Sequence, residues 1–152
     1  MQTVEDVEAE KRVRDSFAAQ RFMTTIGASL LRVMPGSVDI ELPFRRDLTQ
    51  HNGFLHAGVL ATVLDNACGF AAYTLMPPEA EVLSIEFKIN MLSPAVGDRL
   101  IAKGSVIKAG RTVTVCDALG VMQNGDTEKT VAKMIATMMT VMNMKRSPSN
   151  DN

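Results

Sequence analysis

Asp65 is the single carboxylate in the stretch "HAGVLATVLDNACGFAA", which runs from His56 to Ala72 and is otherwise almost wholly apolar or small. An acid on such a segment loses water, and loss of water penalises its charged form and raises its pKa toward that of a useful base. A carboxylate of this kind activates a water or attacks a carbonyl itself. The plainer alternative is an aspartate on the helix surface, or a buried one satisfied by neighbouring hydroxyls. The same stretch offers an electrophilic partner. The first turn of a helix has free backbone N–H groups and the positive end of the dipole. Ala57 and Gly58 stand there, with side chains small enough for a carbonyl oxygen to approach as charge develops on it. His56 immediately precedes them and either orients the loop, donates to a substrate or caps the helix.

Other chemistries find little support. No G-x-S-x-G elbow is present, and His51 and His56 are the only histidines. Cys68 and Cys116 have no activating neighbour in sequence and read as core thiols of a reducing compartment. The two histidines lack a second acid or cysteine at ligand spacing, so no metal is expected. Neither Walker A nor G-x-G-x-x-G occurs. A formal net charge of -1 gives no basic footprint for nucleic acid. The charged N-terminus "MQTVEDVEAEKRVRD" lacks the apolar region of a signal peptide, and no apolar run is long enough to span a bilayer. A cytoplasmic protein without a membrane partner is the expectation.

The elements that must position Asp65 follow from periodicity. With 152 residues, 46% of them hydrophobic, the chain suits one domain with a proper core. Helix-forming composition covers about 4–21, and the apolar spacing continues through "DSFAAQRFMTTIG", where Gly27 ends it. "SLLRVMPGSVDIELPF" predicts two short strands about Pro35-Gly36, and "RRDLTQHNGFLH" a polar loop. From about Ala57 to Leu75 apolar residues cover most of a helical wheel, leaving Thr62, Asp65, Asn66 and Tyr73 on one narrow stripe. Pro77-Pro78 stops this helix. Four long strands follow, broken at 95–97, 109–110 and 124–125, each break suited to an antiparallel hairpin. A helix apolar nearly all round needs a partner on nearly every side. The expected class is therefore α+β: an antiparallel curved sheet wrapped around one long central helix, with an additional N-terminal helix. Residues 1–21 read as a helical extension, 22–144 as the domain and 145–152 as a disordered tail.

That arrangement is the hotdog fold, and "GFLHAGVLATVLDNACGFAA", "SIEFKINMLSPA" and "GRTVTVCDALG" together resemble the PaaI-like acyl-CoA thioesterases. The resemblance spans roughly 22–140. It implies hydrolysis of an acyl-CoA thioester to free acid and CoA, with Asp65 as base or nucleophile and no cofactor beyond the substrate's own coenzyme A. Gln50 matches a position where relatives carry Asn or Gln, whose amide would hold the thioester carbonyl. Ser84 matches one that orients the nucleophilic water. Relatives usually have His-Gly-Gly where this chain has "HAG", so the Ala57 N–H serves only if its φ is negative. Lys108 and Arg111 flank the "KAGR" turn and are the expected contacts for CoA phosphates, with Lys88 and Arg99 as weaker candidates. Phe54, Phe70, Tyr73 and Met76 are candidates for the acyl pocket.

Geometry adds a constraint. Ala57 and Asp65 are eight residues apart on one helix, hence ~12 Å. One thioester carbon cannot touch both, so the two groups must come from different subunits of a homodimer or of a tetramer built from two such dimers. Two other functions stay open on the residues. A hydratase or dehydratase of acyl thioesters shares the fold but pairs its acid with a helical histidine, which Asp65 lacks. A non-catalytic acyl-CoA binding module would not need Asp65.

Overall fold

The computed structural model describes residues 2–145, so the tail expected over 145–152 lies outside the described residues except for Lys145. Helix α1 (Val4–Ala18) opens with a capping box in which Thr3 and Asp6 satisfy each other's backbone N–H. The expected single N-terminal helix is in fact two. The chain turns extended at Gln20, and α2 (Arg21–Ile26) follows. The break lets Val13 and Phe17 of α1 and Met23 and Ile26 of α2 all reach the core, which one straight helix would not permit. Gly27 ends α2 at φ 81°, the left-handed conformation that glycine adopts without a Cβ clash.

Strands β1 (Ser29–Met34) and β2 (Ser37–Pro43) form the expected hairpin. After a short 3-10 turn at Arg46–Leu48 and a loop pinched by a Thr49–Leu55 bridge comes helix α3 (Ala57–Tyr73). Then follow β3 (Ala80–Met91), β4 (Arg99–Ala109), β5 (Val113–Asn124) and β6 (Thr127–Met142). The six strands make one antiparallel curved sheet in the order β1-β2-β4-β5-β6-β3. The connections β4–β5 and β5–β6 are hairpins as expected, but β3–β4 is not. β3 pairs with β6 at the far edge, and residues 92–98 carry the chain across the sheet, tied by Leu92 and Asp98 N–H bonds to Val131 and Gln123. Turn chemistry at Pro94 and Gly97 marks a reversal but does not choose the partner strand.

The sheet curves about α3, which packs against β2, β3, β4, β5 and β6. Leu60, Val63, Leu64, Ala67, Cys68, Phe70 and Ala71 of the helix are buried, as the all-round apolar wheel requires. Gly104 brings the backbone of β4 directly onto the helix: a Cβ there would stand 2.4 Å from the Ala67 carbonyl oxygen. Both cysteines are free and buried in this core, and burial drives the Cys116 thiol up to about 12 and the Cys68 thiol higher still. Such thiols are inert. No helix among the described residues is long and apolar enough to cross a membrane.

Candidate active site

Asp65 sits midway along α3 on the side that meets β3. Its carboxylate is half-buried and accepts a hydrogen bond of 2.7 Å from the Ser84 hydroxyl. Burial pushes its pKa above the ordinary 3.8, and the Ser84 bond, which favours the charged form, offsets part of that rise. Ser84 reaches Asp65 at a β-bulge, where the β3–β6 register shifts between Ser84 and Glu86. Bulges often stand beside active sites because they re-aim a side chain.

A cavity of about 310 Å³ opens directly beside this pair. Its floor is the polar stripe of α3, with Asp65, Asn66, Gly69, Phe70 and Tyr73, and its wall is β3 from Glu81 to Ser84. Of the residues proposed for an acyl pocket, Phe70 and Tyr73 line it. Phe54 lies in the half-buried loop before α3, and Met76 is buried beyond the end of that helix. The contributors that were not anticipated include Ser16, Ala19 and Gln20, where α1 ends, and Met144 beyond β6. No local signal marks the first three, because a position over the cavity is set by how α1 docks.

The entrance of α3 is built as expected in part. Ala57 is the first helical residue, with a negative φ, and its N–H makes no hydrogen bond among the described residues. Gly58 differs: its N–H donates to His56 Nδ1 at 2.9 Å, so His56 is the N-cap and that donor is already engaged. Gly58 is also the residue that fits, since a Cβ would stand 3.1 Å from the same Nδ1. Gln50 holds its loop together through Oε1, which accepts from the Asn52 N–H. Among the described residues that leaves the Gln50 Nε2 amide as the free donor end. His51 is exposed beside Asn52.

The cationic candidates separate. Lys108 and Arg111 are exposed at the β4–β5 turn. That turn is tied to β6 by the Thr140 N–H, which donates to the Thr112 carbonyl, two residues from Met138, the register partner of Ser84. Arg99 is otherwise occupied, with Nη1 on Glu41 at 2.6 Å and Nε on Gln123 at 2.7 Å. Lys88 is exposed on β3, paired in register with Ile135.

Helix α3 contains both Ala57 and Asp65, so the ~12 Å between the acid and the helix entrance stands. Within one chain the two groups cannot serve one carbon.

This geometry has relatives. The family model described as Thioesterase superfamily matches residues 52–129, more than half of the chain, including the helix entrance, Asp65 and Ser84. A crystal structure of a thioesterase family protein from Silicibacter pomeroyi is 47% identical and superposes with a TM-score of 0.87, over 88% of this chain and 98% of that one. Human acyl-coenzyme A thioesterase 13 is 31% identical over 99 residues, 62% of this chain and 69% of the human protein. The E. coli PaaI protein, from the phenylacetic acid degradation operon, shares the fold at a TM-score of 0.81 and 19% identity, over 90% and 95% of the two chains. Six antiparallel strands curved about a helix that carries one half-buried acid are thus accounted for: the chain belongs to the thioesterase superfamily and has the PaaI-like hotdog fold.

Proposed function

We propose that this protein hydrolyses an acyl-CoA thioester to the free acid and coenzyme A, with no cofactor. The observation that carries this reading is Asp65: a half-buried carboxylate with a raised pKa, held by Ser84 at 2.7 Å and facing an open cavity. In the reaction the carboxylate takes a proton from a water that attacks the thioester carbon, or attacks that carbon itself. Ser84 aligns the carboxylate in either case. Charge builds on the carbonyl oxygen, and the Gln50 amide and the Ala57 N–H are the groups that would receive it. Collapse of the tetrahedral adduct expels the thiolate of CoA, which takes up the proton; after direct attack, a water then hydrolyses the acyl-aspartyl anhydride and restores the Asp65 carboxylate.

Because of the ~12 Å separation, Gln50 and Ala57 act on a carbon attacked by the Asp65 of another copy. The edge strand β3 supports this arrangement. Among the described residues its outer side has no partner strand, and Leu83, Ile85 and Phe87 are 43%, 53% and 44% exposed around Ser84. A second copy docked there would cover them and bring its own loop to Asp65. The functional unit is therefore a homodimer, alone or paired into a tetramer. Lys108 and Arg111 are the proposed contacts for CoA phosphates.

The test is release of free thiol from a panel of aromatic and aliphatic acyl-CoA esters, with Asp65→Asn as control. Turnover of at least one ester by the native protein, lost in the variant, is the expected result. Tight binding across the panel without thiol release would overturn hydrolysis in favour of a binding module. Loss of enoyl absorbance without thiol release would do so in favour of a hydratase.

A further inference from the structure

Arg12 and Ser16 stand four residues apart on one face of α1, and Ala19 and Gln20 follow directly where the helix ends at Ala18. Ser16, Ala19 and Gln20 cover the cavity, while Arg12 does something else. Its guanidinium spans the end of α3: Nη1 donates to the Pro77 carbonyl at 2.7 Å, and Nη2 to those of Tyr73 at 2.7 Å and Met76 at 2.9 Å. It also stacks over the Tyr73 ring at 4.4 Å.

These carbonyls belong to the last turn of a helix and the residues just beyond it, where acceptors lack helical partners and the dipole is negative. One cation satisfies them and fastens α1 there. Among the described residues it is the α1 side chain that hydrogen-bonds to the rest of the body. The other ion pairs of α1, Lys11–Asp15 and Arg14–Glu10, stay within the helix. Beneath Arg12, Val13 and Phe17 bury an apolar face, with Phe17 5.8 Å from the Phe70 ring. Apolar contact holds α1 on the body, and Arg12 fixes where along α3 it sits.

We propose that α1 is the roof of the acyl site and that Arg12 is the positioning residue that keeps this roof down, restricting the enzyme to compact acyl groups. The proposal rests on the reading of the protein as an acyl-CoA hydrolase. Size sets the class of substrate. An apolar cavity of ~150 Å³ takes up one benzene molecule, so about 310 Å³ holds a single ring with its linker, or a short to medium aliphatic chain. A long fatty acyl chain exceeds the volume available beneath α1.

The experiment measures kcat and KM by thiol release for butyryl-, hexanoyl-, phenylacetyl- and palmitoyl-CoA, in the native protein, Arg12→Ala and Ser16→Leu. The native protein should prefer hexanoyl or phenylacetyl over palmitoyl. Arg12→Ala should raise the palmitoyl-to-hexanoyl ratio of kcat/KM by ~10-fold or more, mainly through KM for the long ester, the scale that pocket contacts give. The palmitoyl-to-butyryl ratio should rise with it, because the short ester does not reach the roof. Ser16→Leu fills the roof side of the cavity and should act oppositely, lowering the hexanoyl-to-butyryl and phenylacetyl-to-butyryl ratios of kcat/KM. A merely structural role for Arg12 would lower all four esters alike. Turnover with a native preference for palmitoyl, or length profiles unmoved in both variants, overturns the roof and leaves hydrolysis standing. Absence of thiol release from every ester overturns hydrolysis itself. Should Arg12→Ala not fold, Ser16→Leu decides alone.

Discussion

Burial and one hydrogen bond pull the Asp65 carboxyl in opposite directions, and burial wins: its pKa lies above the ordinary 3.8. The sign fixes two expectations. A carboxylate whose folded pKa exceeds its unfolded one holds its proton more tightly in the fold, so its ionisation costs stability above the folded value and nothing below the unfolded one. Asp65→Asn, which cannot ionise, should therefore be more stable than the native protein at neutral pH. The gap should close as pH falls below the unfolded value; urea midpoints against pH measure it. Activity goes the other way, since Asp65→Asn should lose ~10²-fold or more in kcat. The acid limb of native kcat should lie above the pH where an ordinary aspartate titrates. Ser84→Ala removes the one interaction that favours the carboxylate, so it should move that limb to higher pH. A limb that stays put in Ser84→Ala would detach Ser84 from the ionisation of Asp65.

The entrance of α3 is where an element rather than a residue does the work. His56 caps it with Nδ1, Gly58 gives up its N–H to that cap, and Ala57 is left with a free donor. A lost oxyanion donor costs ~10²–10³ in kcat, or about 2.7–4 kcal/mol. Gln50→Ala should thus lower kcat with little change in KM. Ala57→Pro should do the same while folding, because proline is tolerated at the first helical position and His56, at φ -62° and ψ 139°, already has the extended backbone that a following proline demands. Ala57→Gly keeps the N–H and should be nearly neutral. Steady-state kinetics with circular dichroism as a fold control checks the set. If Gln50→Ala and Ala57→Pro both fold and turn over normally, the carbonyl is held elsewhere.

At the scale of the molecule, the edge of the sheet carries the prediction. Edge strands with apolar side chains invite pairing, and β3 exposes Phe87 and Ile85 beside the acid. Phe87→Glu should shift the protein toward monomer in light scattering and reduce turnover in parallel, although Phe87 is not part of the proposed chemistry. Mixing Asp65→Asn chains with Gln50→Ala chains should restore activity through hybrid sites; an active monomer would sink shared sites altogether. The β4–β5 turn belongs to the same scale. Arg111→Ala should raise KM for CoA esters more than it lowers kcat, since phosphate binding is uniform to ground and transition states. The effect should shrink for a pantetheine thioester, which lacks the nucleotide.

How much of this was legible in the sequence varies with the range of the interaction involved. Periodicity located α3 almost to the residue, because an all-round apolar wheel ended by two prolines is a local pattern. The same wheel singled out Asp65, and the ~12 Å between it and Ala57 needed only the rise of a helix. The β1–β2, β4–β5 and β5–β6 hairpins followed from their turns. The place of β3 did not, since strand partners are chosen by non-local burial and a reversal at 94–97 suits either neighbour. Nor did the break at Gln20, which exists so that Val13, Phe17, Met23 and Ile26 can all be buried at once. The engagement of the Gly58 N–H was not legible for a related reason: which N–H a cap consumes depends on the rotamer of His56, not on its type. Arg12 and Ser16 carry no signature at all. In sequence they belong to a charged helix like many others, and only the docking of α1 on the end of α3 sets them at the acyl cavity.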